Sequence, residues 1–116
     1  MTETAMLALL RKFCLPLPEV RETVKWGHPT FEAGKKMFAV LDHYDGKPCI
    51  AFRVSDDLRD AVLADERFSE APYAGGWVCL NGKIDRGQVK ELLVASYRLV
   101  ALKRMIAALD GSGRTG

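Results

Sequence analysis

Between Thr23 and Leu41 the chain reads Thr-Val-Lys-Trp-Gly-His-Pro-Thr-Phe-Glu-Ala-Gly-Lys-Lys-Met-Phe-Ala-Val-Leu, and no other stretch constrains the fold as tightly. Gly27 and Pro29 bracket His28. Proline fixes φ and removes a donor while glycine tolerates turn geometry, so the imidazole is expected to leave a bend rather than a ladder position. Two short apolar runs follow, Thr30 to Ala33 and Met37 to Leu41, joined across Gly34-Lys35-Lys36. That pattern predicts a β-hairpin at the centre of a small α+β domain.

The flanking chain extends the sheet and adds helices. Asp45-Gly46 is a favoured pair where both central turn residues need positive φ. Beyond it, Ile50, Phe52 and Val54 alternate with Cys49, Ala51 and Arg53, the period of two expected of a strand with one face buried. Trp77 to Leu80 reads as a further strand after a loop from Asp65 to Gly76, in which Phe68, Pro72 and Tyr73 are anchors. Met6, Leu7, Leu10 and Phe13 recur at helical spacing in Glu3 to Cys14, with Thr2 as N-cap and Pro16 and Pro18 as stops. Pro18 then suits the start of a short helical turn over Glu19 to Thr23. Ser55 caps a helix that ends near Ala64, and Asp85 with Gln88 has capping-box form for a long helix. That last helix is expected to bury Val89, Leu92, Leu93, Ser96, Leu99 and Val100. Residues 1–110 form one domain on this basis, with a flexible Gly- and Ser-rich tail over 111–116.

A chain of 116 residues is long enough to bury a core without disulfide or metal staples. No apolar run is long enough to span a membrane, which predicts a cytoplasmic protein with no membrane partner and, by default, a monomer. Cys14, Cys49 and Cys79 are odd in number and widely spaced, as suits small buried hydrophobes in a reducing compartment. The net charge of +2 is unevenly distributed: residues 1–82 hold ten Lys/Arg against twelve Asp/Glu, and residues 83–116 hold seven against three. An excess of this kind suits either phosphate contact or a solvated helix face that keeps the protein soluble.

The catalytic inventory is thin, and the chain does not point to an enzyme. No nucleophile signature surrounds a cysteine, no close ligand pair marks a metal site, and Gly75-Gly76 leads into a strand rather than a helix N-terminus. No catalytic residue, cofactor or metal is therefore expected. Two candidate sites remain. On a helical wheel Arg86, Lys90, Tyr97 and Arg104 share a face of the last helix, and Lys35 and Lys36 sit at the hairpin tip; cations meet phosphates and an aromatic can stack on a base. Alternatively, Trp26, Phe31, Phe38 and Trp77 either line a pocket with His28 at its rim, serving a small ligand or a protein partner, or simply form core around a turn histidine.

Lys25-Trp-Gly-His-Pro-Thr-Phe31, Gly34-Lys-Lys-Met-Phe-Ala39, Glu66-Arg-Phe68 with Ala71-Pro-Tyr73, Gly76-Trp-Val78 and Ser96-Tyr-Arg-Leu-Val100 with Lys103-Arg104 resemble the MmcQ/YjbR family over nearly the whole chain. The resemblance implies a CyaY-like α+β fold, with an antiparallel sheet packed by N-terminal and C-terminal helices, and DNA as a partner. Leu102 stands where such sequences often have proline before the basic pair, a departure that implies a last helix unbroken through Ala108. The first helix carries only Glu3 and lacks the acidic ridge that a hard cation would require.

Overall fold

The computed structural model describes residues 2–73 and 75–114. Ten elements follow in order: α1 (Glu3–Cys14), β1 (Val20–Lys25), β2 (His28–Ala33), β3 (Lys36–Tyr44), β4 (Lys47–Arg53), α2 (Asp56–Leu63), β5 (Phe68–Glu70), β6 (Trp77–Leu80), α3 (Arg86–Val100) and α4 (Lys103–Arg114). All six strands join one antiparallel sheet in the order β1-β2-β3-β4-β6-β5. The α+β architecture expected from the sequence is the one observed. Among the described residues no helix is long and apolar enough to cross a membrane.

The central hairpins follow local chemistry. Asp45 and Gly46 take φ of 53° and 76°, and the β3–β4 register sets Leu41 opposite Ile50 and Ala39 opposite Phe52. Ile50, Phe52 and Val54 point into the main core beneath α1 and α3. Cys49 and Ala51 point to the other face, where they pack with Val40, Trp77 and Cys79. Between β2 and β3 the register runs Phe31↔Ala39 and then Glu32↔Met37, so Phe38 is the extra residue of a β-bulge. Phe38 and Ala39 consequently both enter the main core.

Four expectations give way. Glu19 to Thr23 does not form a helical turn: the chain from Val20 is an edge strand, and Trp26 and Gly27, at φ 50° and 79°, form the turn into β2. Pairing with β2 satisfies backbone groups that a single isolated helical turn could not, since a helix nucleus is costly. His28 accordingly stands in the ladder opposite Lys25 rather than in a bend. The loop before β6 contains the three-residue strand β5, which closes the far edge of the sheet.

The last helix is interrupted as well. Ala101 is extended, at φ −66° and ψ 145°, and α4 starts afresh at Lys103. At 100° per residue an unbroken helix would carry Met105 about 130° away from the buried stripe of α3. The break instead seats Met105 fully in the core, so burial of a large apolar side chain overrides helix continuity. α4 then continues to Arg114 through positions whose Gly and Ser content suggests a tail; Thr115 and Gly116 lie outside the described residues.

Candidate functional site

Gly34 holds the β2–β3 turn at φ 62°, and a Cβ there would stand 3.1 Å from Cε of Met105. That close approach brings α4 against the hairpin tip and forms a groove of about 540 Å³. Its floor is apolar, from Val20, Ala33, Val100 and Leu102. Its rim is cationic: Lys35 and Lys36 are exposed on the turn, Arg21 comes from β1 and Arg104 from α4. Arg21 Nη2 donates to the Gly34 carbonyl at 3.1 Å, which ties the edge strand to the turn. Arg104 is held by Glu19, Nε and Nη2 each donating to a carboxylate oxygen at 2.9 Å. This pairing lowers the Glu19 pKa and raises that of Arg104. Glu19 itself has φ 59°, an uncommon conformation outside glycine that turns the chain into β1.

The four residues of the expected helix stripe separate from one another, and one of them joins the hairpin-tip lysines. Lys35, Lys36 and Arg104 converge on the groove. Arg86 and Lys90 are exposed near the start of α3, which at 1.5 Å per residue lies about 20 Å from Val100. Tyr97 is fully buried, and its hydroxyl donates to the Pro18 carbonyl at 2.8 Å. Its ring meets Phe38 edge-on with centroids 5.7 Å apart. Tyr97 therefore cannot stack on a base. The buried stripe of α3 is Val89, Leu93, Ser96, Tyr97 and Val100, while Leu99 is 49% exposed.

The expected aromatic pocket does not form. Phe31 and Phe38 lie in the core on the helix-covered side of the sheet, and Trp77 is buried on the opposite side. The pleat assigns these faces, so proximity in sequence does not become a shared cavity. Trp77 packs against Tyr73, with centroids 5.2 Å apart, and beneath the Arg53 guanidinium at 5.3 Å. Trp26 is 86% exposed on the β1–β2 turn. The space beside Trp26 and His28 measures about 10 Å³, which is roughly one water at most.

The thiols are buried, as expected of structural cysteines. Burial pushes Cys14 up to about 12. Cys49 and Cys79 hydrogen-bond to each other on the second face, and that bond together with burial raises Cys49. The same bond lowers Cys79, against the opposing effect of burial. One grouping departs from the sequence expectation that no metal-ligand cluster exists: His28, Asp42 and His43 come together at the base of the hairpin. Strand register creates this proximity, which residue spacing does not reveal.

A family model described as YjbR matches residues 15–99. Among solved structures, the chain is similar to the Deinococcus radiodurans protein DR2400, described with a DUF419 domain, at 23% identity and a TM-score of 0.68, covering 87% of this chain and 85% of that one. It is also similar to a Pseudomonas syringae protein at 14% identity and a TM-score of 0.65, covering 86% and 99%. No curated protein matches the chain.

Proposed function

The chain belongs to the YjbR family, and from that premise we propose that it binds DNA weakly and without base readout through the rim of the α4–hairpin groove. The observation that carries this reading is the convergence of Lys35, Lys36, Arg21 and Arg104 from three separate parts of the chain onto one edge. Lys35 and Lys36 are the principal phosphate contacts, with Arg21 beside them. Arg104, already engaged by Glu19, contributes less. Arg86 and Lys90 lie far enough along α3 to meet a second stretch of backbone. With no exposed aromatic on the groove, the contacts are electrostatic, so affinity is modest and falls with salt.

Titration of a fluorescent duplex by anisotropy over a salt series tests this directly. Two or three neutralised phosphates give a log-log slope of roughly −2 to −3. Joint replacement of Lys35→Ala and Lys36→Ala is expected to reduce affinity and to flatten the slope by about 2. Both side chains are exposed, so each substitution should change stability by no more than about 0.5 kcal/mol. Absence of binding at low salt, or an unchanged slope in the double variant, would sink the DNA reading.

A second reading rests on the groove itself. Its volume of about 540 Å³ and apolar floor suit a small molecule with a hydrophobic body and one anionic group. Such a ligand would depend on Leu102 as much as on the lysines, and its affinity would respond only shallowly to salt.

A further inference from the structure

The two ends of the β2–β3 hairpin differ in chemistry. The tip carries lysines, whereas the base carries His28 at the start of β2 and Asp42-His43 near the end of β3. One ligand atom from each of His28, Asp42 and His43 lies within 4.8 Å of the other two. Nε2 of His28 is 3.6 Å from Oδ1 of Asp42, and the two imidazoles have centroids 5.7 Å apart at 46°. Two further residues hold this group from outside. The Tyr73 hydroxyl donates to Oδ2 of Asp42, and Glu3 of α1 engages Nε2 of His43 at 2.5 Å.

We propose that His28, Asp42 and His43 bind one divalent transition-metal ion of the Zn²⁺ or Co²⁺ type. Two imidazoles and a carboxylate form a borderline donor set that suits these ions, whereas Mg²⁺ and Ca²⁺ need predominantly oxygen ligands. Bonds of about 2.0–2.2 Å in a tetrahedral arrangement place ligand atoms roughly 3.3 Å apart, so the group need draw in by no more than about 1.5 Å. The two histidine side chains, 30% and 44% exposed, can make that adjustment by rotation. With Nε2 of His43 bonded to Glu3, Nδ1 is the nitrogen left to ligate. Glu3 then orients His43, and Tyr73 fixes one oxygen of Asp42, the outer contacts that tune ligand basicity in metal sites. Three protein ligands leave the fourth position to water.

The site lies at the opposite end of the hairpin from Lys35 and Lys36, so it stands or falls independently of DNA binding. Zn²⁺ titration by calorimetry and Co²⁺ titration by visible absorption should each saturate at one equivalent. Ring resonances of His28 and His43 should shift together on Zn²⁺ addition. His28→Gln and His43→Gln should each weaken Zn²⁺ binding more than tenfold, and Glu3→Gln about tenfold. Melting curves without metal should match the parent for all three variants, because none of the three side chains is buried. Failure to saturate with either ion, or parent-like Zn²⁺ affinity in the His28→Gln/His43→Gln double variant, would overturn the assignment.

Discussion

Tyr97→Ala should destabilise the protein by about 4 kcal/mol, the scale seen when a large buried aromatic is truncated. The ring is fully buried against Phe38, and its hydroxyl satisfies the Pro18 carbonyl across 79 positions of chain. Truncation therefore opens a cavity between α3 and the sheet and releases the segment that leads into β1. For a domain of this size the change corresponds to a fall in melting temperature of roughly 15 °C or more. Tyr97→Phe keeps the ring and removes only the hydrogen bond, at a cost of about 1 kcal/mol. Urea denaturation of both variants checks the pair. An exposed base-stacking tyrosine would instead give an alanine variant within about 0.5 kcal/mol of the parent.

Ser96→Ala should cost about 2–4 kcal/mol, far more than its size suggests. Oγ of Ser96 donates to the Phe38 carbonyl and accepts from the Arg53 amide, each at 2.8 Å. Ser96 is completely buried. Phe38 is the extra residue of the β2–β3 bulge and Arg53 ends β4, so one hydroxyl ties the bulge to the end of the neighbouring strand. Removing it leaves the buried Phe38 carbonyl and the part-buried Arg53 amide without this partner, each at a cost of about 1–2 kcal/mol. Amide exchange gives a local readout: the Arg53 N–H should exchange faster in Ser96→Ala even after correction for lost global stability. Parent-like exchange at Arg53 would mean that another group replaces the hydroxyl.

The parts of this fold that were legible in the sequence are those set by neighbouring residues. Asp45-Gly46 demanded positive φ, Ile50, Phe52 and Val54 alternated strictly, and Asp85 accepts from the Gln88 amide as its capping-box spacing implied. β1 was illegible because an edge strand has only one partner to please. Its Val20-Arg-Glu-Thr-Val-Lys25 carries little alternation in burial, and Pro18 is equally at home before a helix. β5 is three residues long, too short for a period to register.

The α3 face shows a different limit. Counting apolar side chains centred the stripe near Ser96, with Leu92 and Leu99 on one edge, whereas burial of Tyr97 rotates it by about 40° and leaves Leu99 half exposed. Tyrosine is ambiguous on a helical wheel because its body is apolar and its tip polar. Lys35, Lys36 and Arg104 could be picked out from sequence, but Arg21 could not while its segment read as helix. The groove floor depends on the break at Ala101, which exists to bury Met105. His28 and His43 were visible singly; only the pairing of β2 with β3 makes them neighbours.

The central claim, that the groove rim meets DNA phosphates, is tested most directly by backbone amide NMR with a short duplex added at low ionic strength. Shift changes should concentrate at Arg21, at Gly34 to Lys36 and at Leu102 to Arg104, with a weaker set at Arg86 and Lys90, and should disappear together as salt is raised. Changes confined to the surroundings of Trp26 and His28, or none at all, would contradict it.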